Sequence, residues 1–106
     1  MTFVNLQIKT RGVELSDRQR AGVERSVRMV LARFAERIDR AMLEFQVAEG
    51  PRGGQSVTCR VELRSQPDRV YAEHSDPDHK AALDAAIGRA ARSVARSLEL
   101  GGWKGP

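Results

Sequence analysis

Apolar residues along this chain alternate with period two in four stretches and recur with a helical period in two. In residues 2–9, Val4, Leu6 and Ile8 alternate with Asn5, Gln7 and Lys9, which predicts a half-buried strand. Arg11-Gly12 is read as a turn. From Ser16 to Arg40 the period changes: Val23, Val27, Val30, Leu31, Phe34 and Ile38 recur at steps of three, four and seven, the stripe of one helix. Ser16 is its expected N-cap, Asp17 suits the positive end of its dipole, and its end is expected near Asp39 or Arg40. Leu15, just before the cap, is placed to staple against the first turn. Alternation returns in Met42–Ala48, with Leu43, Phe45 and Val47 inward, and in residues 56–64, with Val57, Cys59, Val61 and Leu63 inward. Residues 49–54 read as a flexible Gly/Pro connection, and Ser65-Gln66-Pro67-Asp68 as a turn. Arg69–His74 is a short strand with Val70 and Ala72 inward.

Asp76-Pro77-Asp78 then opens a last helix. Its apolar stripe is Ala82, Leu83, Ala86, Ile87, Ala90, Val94 and Leu98. Gly88 within it predicts close packing or a bend, since glycine in a helix interior costs about 1 kcal/mol relative to alanine. Gly101-Gly102 stops the helix, leaving a frayed tail that holds Trp103.

The order is βαβββα, an α+β chain. A right-handed crossover makes the first two strands parallel, and short turns make the rest an antiparallel meander. Each strand has one apolar face, so the expected architecture is a four-stranded mixed sheet with both helices on one side. The 106 residues make one domain, 1–100, followed by a tail, 101–106.

Charge sharpens this picture. The net charge is +4, and residues 16–40 hold seven Arg against four acids, whereas residues 41–79 hold four Arg against seven. The last helix adds Lys80, Arg89, Arg92 and Arg96. At about 100° per residue, Arg18, Arg25, Arg33 and Arg40 fall opposite the apolar stripe of the first helix. The positive excess therefore lies on two helices, which suits a polyanion, nucleic acid first among them. The plain alternative is a pair of solvated helix faces, with Arg28 paired to Glu24 and Arg40 to Glu36 at i,i+4.

The sequence offers little to catalysis, and the chain is read as a non-enzyme without cofactor or metal. Lone Cys59 excludes an internal disulfide and a cysteine zinc cluster, and sits where a free thiol acts as a small core hydrophobe. His74 and His79 flank Asp76 and Asp78 but lack the further ligands of a metal centre. No membrane-length apolar run or signal peptide is read, so the expected location is the cytoplasm.

Three short motifs in order along the chain give it a resemblance. The first is Ile8, then Val13-Glu14-Leu15-Ser16-Asp17 and Arg20. The second is Arg33-Phe34 followed by Arg37-Ile38. The third is Asp78 with Ala81-Ala82-Leu83-Asp84, followed by Arg89 and Arg92. In this the chain resembles the ribosome hibernation factors: hibernation-promoting factors and ribosome-associated translation inhibitors, once described as sigma-54 modulation proteins. The resemblance spans nearly the whole chain and matches the short members. It departs at Ser26 and Met29, at His79 and Lys80, and in the tail, which is not Lys-rich.

The resemblance implies a fold like the double-stranded RNA-binding domain. It implies binding to small-subunit ribosomal RNA in the messenger and transfer-RNA channel, blocking translation and preserving idle ribosomes in stationary phase or stress. The RNA-binding candidates are Arg18, Arg25, Arg28, Arg33 and Arg40 on the first helix and Lys80, Arg89, Arg92 and Arg96 on the second, with Arg11 flanking. Contact is expected to rest on phosphate and shape. Arg20 winds toward the apolar side and is assigned a salt bridge or cap. Tyr71 is expected as a half-exposed cross-strand contact. The competing reading is a protein-interaction module, self-associating or binding a partner through Met42, Glu44, Thr58, Glu62 and Tyr71 on the open sheet face.

Overall fold

The computed structural model describes residues 5–49, 54–65 and 68–99. The expectations for Val4, the 50–53 connection, Gln66-Pro67, the Leu98 side chain, Gly101-Gly102 and the Trp103 tail lie outside the described residues.

The alternating stretches become strands β1 (Asn5–Arg11), β2 (Arg40–Glu49), β3 (Gln55–Ser65) and β4 (Asp68–Asp76), and the helical ones become α1 (Asp17–Leu31) and α2 (His79–Glu99). The sheet order is β1-β2-β3-β4, with β1 and β2 parallel and the other pairs antiparallel. Both helices cover one face. Val23, Val27 and Leu31 of α1 and Ala82, Leu83, Ala86, Ile87, Ala90 and Val94 of α2 form one core with Leu43, Phe45, Cys59, Val61 and Leu63. Gly12 turns the chain out of β1 at φ +73°, where a Cβ would also sit 3.4 Å from Val47 Cγ2. Only glycine takes this backbone without penalty.

The start of α1 is fixed more fully than by a lone cap. Gln19 N donates to Ser16 Oγ at 3.1 Å, and Ser16 N donates to Gln19 Oε1 at 2.8 Å. This reciprocal capping box satisfies two donors at once.

The end of α1 differs from the expectation. The helix stops at Leu31, a single 3-10 turn spans Ala32–Phe34, and Arg40 already begins β2. Arg40 is taken up by the sheet, where it pairs with Asn5 of β1 and Arg64 of β3. Fifteen helical residues rise about 22 Å, close to the roughly 23 Å spanned by the seven residues of β1. A helix continued to Arg40 would run about 13 Å beyond the span of β1. Instead the tightened turn brings Phe34 and Ile38 into the core, at 5% and 2% exposure. Asp39 N then donates to Arg64 O at 2.7 Å, and Asn5 N donates to Asp39 O at 3.2 Å, seating the chain on the sheet. Val30, expected in the stripe, is 37% exposed.

At the other helix, Asp78 Oδ2 accepts from Ala81 N at 3.2 Å and Asp76 Oδ1 accepts from Asp78 N at 3.0 Å. Both acids of the supposed His/Asp cluster thus hold the helix entry. His79 stands 3.8 Å from Asp78 Oδ1 and sets its ring edge-on to Phe45. Among the described residues, no three His, Cys, Asp or Glu side chains gather to hold a metal ion.

Candidate nucleic-acid interface

The helical period that buries Val23, Val27 and Leu31 turns Arg18, Arg25 and Arg28 outward, and all three are exposed. Arg33 follows in the 3-10 turn, exposed, its guanidinium carbon 4.6 Å from the centre of the Phe34 ring. That cation–π contact aims the head group without neutralising it. Met29 is 72% exposed among these arginines.

On α2, Lys80, Arg89, Arg92 and Arg96 are exposed. The first turn of α2 holds no acid. Lys80 stands at that end two residues after Asp78, whose carboxylate caps the helix. Arg92 folds back along its own helix, with Nη1 3.5 Å from where a Gly88 Cβ would stand. The helix runs unbroken through Gly88, and nothing from another element comes within 4 Å of that position. The close packing expected there does not occur. Arg89 is tied down: Nη1 donates to Glu73 O on edge strand β4 at 3.2 Å. Since α1 packs beside α2, the outward arginines of both helices border one side of the molecule.

Arg40 does not belong to this set. It lies in β2, in register with Asn5 and Arg64, on the open face of the sheet. The proposed Glu36–Arg40 helical pair is excluded for the same reason: the two residues share no helix. Arg11 also stands on the open face, its Nε 2.9 Å from Glu44 Oε2. Arg20 is half-buried and donates from Nη1 to Ile8 O at 3.5 Å, a tie to β1 rather than an ion pair.

The open face is ordered in rows by the strand registers. Lys9, Glu44, Arg60 and Glu73 lie side by side. Arg60 is 3.0 Å from Glu73 and 3.8 Å from Glu44. In the next row stand Gln7, Met42, Glu62 and Tyr71, the tyrosine 62% exposed rather than half-covered. In the row beyond stand Asn5, Arg40, Arg64 and Arg69. Arg69 Nη1 donates to the Tyr71 hydroxyl at 3.3 Å, and that contact raises the Arg69 pKa above its ordinary range. Sequence reasoning had not grouped these arginines. The register of β3 and β4 sets Arg64 opposite Arg69.

Burial at the centre of β3 pushes the Cys59 thiol from its ordinary 9.0 to about 12, so it stays protonated and unreactive. No helix among the described residues is long and apolar enough to cross a membrane.

Two solved structures are similar. A ribosomal subunit interface protein from Coxiella burnetii superposes with a TM-score of 0.72 at 13% identity, over 89% of this chain and 97% of its own. The N-terminal domain of Protein Y from Thermus thermophilus gives 0.70 at 21% identity, over 91% of this chain and 98% of its own. At such identities the likeness is one of fold. A direct comparison with the curated proteins finds no match. Residues 6–99, from the first strand to the end of α2, match the family described as Sigma 54 modulation protein / S30EA ribosomal protein, and the chain belongs to that family.

Proposed function

We propose that this chain is a ribosome-associated hibernation factor. It docks the outer faces of α1 and α2 on small-subunit ribosomal RNA, in the channel used by messenger and transfer RNA, and holds idle ribosomes inactive under stress. The observation that carries the reading is the outward set Arg18, Arg25, Arg28, Arg33, Lys80, Arg92 and Arg96 on two adjacent helices of a chain in this family. Guanidinium groups give bidentate, charge-assisted hydrogen bonds to phosphate. The name of the Coxiella burnetii relative, a ribosomal subunit interface protein, agrees. Arg89 is the least available member, because its head group already serves Glu73 O.

The test is sedimentation of the protein with small ribosomal subunits over a salt series. A variant carries Arg18, Arg25, Arg92 and Arg96 changed to Ala, with Arg89 left in place. Log affinity falls linearly with log salt, and losing four phosphate contacts flattens the slope by about 3. A wild-type protein that stays at the top of the gradient at low salt overturns the reading. The open face would then carry the second one, a protein-interaction module, since exposed Tyr71 and half-buried Met42 line a shallow hollow of about 540 Å³ there.

A further inference from the structure

We propose that the open face of the sheet is a second RNA-binding surface, which takes a single-stranded segment with its phosphates on Arg40, Arg64 and Arg69 and a base on Tyr71. The inference rests on the reading above only in the choice of RNA as polyanion.

The observation is a contrast between two rows of the same face. In the row Lys9–Glu44–Arg60–Glu73 the charges alternate and pair at 3.0 and 3.8 Å. In the row Arg40–Arg64–Arg69 three like charges stand on three adjacent strands. Neighbouring strands lie about 4.8 Å apart, so the three Cα atoms fall within about 10 Å. Like charges placed directly opposite each other on a sheet destabilise it. Among the side chains described, the acids at hand are Asp39, whose backbone amide is bound to Arg64 O, and Glu62 in the next row. They leave the arginine row in excess. An arrangement that weakens the isolated sheet is relieved when an anion bridges the guanidinium groups.

The shape selects the anion. Arg40 and Arg64 are half-buried and Arg69 is exposed, and the recess beside Asn5, Asp39, Arg40 and Arg64 is only about 140 Å³. A line of arginines on a flat face fits a chain of phosphates rather than one small anion. Tyr71 stands one row away on the same strand as Arg69, 62% exposed, with its hydroxyl held by Arg69. Its ring is thereby presented, and an aromatic face beside a cationic track is the pattern that holds unpaired bases. A duplex would leave the ring idle. With arginines on both sides, the domain fits between two RNA elements.

The experiment is a titration of the full chain, ¹⁵N-labelled, with a mixed-sequence single-stranded RNA dodecamer at low salt. Amide resonances of Arg64, Arg69 and Tyr71 are expected to shift. The R40Q/R64Q/R69Q variant loses those shifts, and Tyr71→Leu weakens binding at the same amides about tenfold. The helix variant of the sedimentation test keeps them. Shifts confined to α1 and α2 overturn the inference while leaving the ribosome reading intact. Sheet-face shifts that follow protein concentration without RNA also overturn it, and assign the face to a second copy. If ribosome sedimentation fails but the sheet amides shift with RNA, this inference stands and the docking model falls. Should the triple variant fail to fold, the Tyr71→Leu titration decides alone.

Discussion

Arg89 reaches from α2 to donate a hydrogen bond to the backbone carbonyl of Glu73, 3.2 Å away on edge strand β4. Arg20 does the same from α1 to Ile8 O on the opposite edge strand, at 3.5 Å. Edge strands offer unpaired backbone groups to other chains, and a covered acceptor removes part of that template. Arg20 and Arg89 are thus parts of the scaffold.

This separates Arg89 from its neighbours in a measurement. Arg89→Ala is expected to lower stability by about 0.5–1 kcal/mol, the lower range for an exposed hydrogen bond. Arg92→Ala and Arg96→Ala, with no such bond, should stay within about 0.5 kcal/mol of the parent. Urea unfolding of the three variants checks this. Equal values for all three would mean that the Glu73 contact contributes nothing.

The capping box makes Ser16 a larger determinant than its exposed position suggests. Ser16→Ala removes the acceptor for Gln19 N and is expected to cost about 1 kcal/mol. In a chain of this size that lowers Tm by about 4–8 °C. Gln19→Ala breaks only the return bond to Ser16 N and should cost less. Thermal unfolding followed by circular dichroism reads both, and an unchanged Tm for Ser16→Ala would refute the role.

Gly22 lies inside α1 with no atom within 4 Å of a built Cβ and without positive φ. Nothing in the fold requires a glycine there. Gly22→Ala should raise stability by about 0.5–1 kcal/mol through the lower backbone entropy of the unfolded chain. A loss of stability would show that the position is constrained in a way the packing does not reveal.

Cys59 supplies a pH test with a definite sign. Its thiol titrates at about 12 in the folded chain against an ordinary 9.0. Above the lower value the unfolded chain releases this proton and the folded chain does not, so unfolding gains. The Cys59 contribution is complete below pH 9.0 and is lost as pH climbs towards about 12. The slope is at most about 1.4 kcal/mol per pH unit. Cys59→Val should flatten the stability profile in that window. In the native parent at pH 8 the thiol should resist alkylation until denaturant is added.

The strands were legible because their alternation is local: Cys59, Val61 and Leu63 point inward in sequence and in the fold. So was the crossover, which follows from strand, helix and strand in order. The end of α1 was not. Phe34 and Ile38 hold the helical spacing through a 3-10 turn and a return to the sheet, and both are buried as a helix would bury them. Periodicity reports burial; it does not tell a helix from a 3-10 turn and a return to the sheet that bury the same residues. Arg40 was misplaced by that error. The outward turn of Arg64 was readable from alternation, but its alignment with Arg40 and Arg69 depends on two registers. The ties of Arg20 and Arg89 to backbone oxygens were invisible, because carbonyl positions leave no mark on side-chain pattern.

The fixed phase of α1, with Val27 and Leu31 inward and Arg18, Arg25 and Arg28 outward, bears on how this chain can change in length over time. One residue inserted within α1 turns everything after it by about 100°, moving Val27 and Leu31 out of the core and the exposed arginines into it. The same insertion between Ala35 and Asp39 falls after the helix and before the sheet, and rotates neither. Length variation among descendants of this sequence should therefore collect in the return segment and leave the fifteen residues of α1 at a constant number.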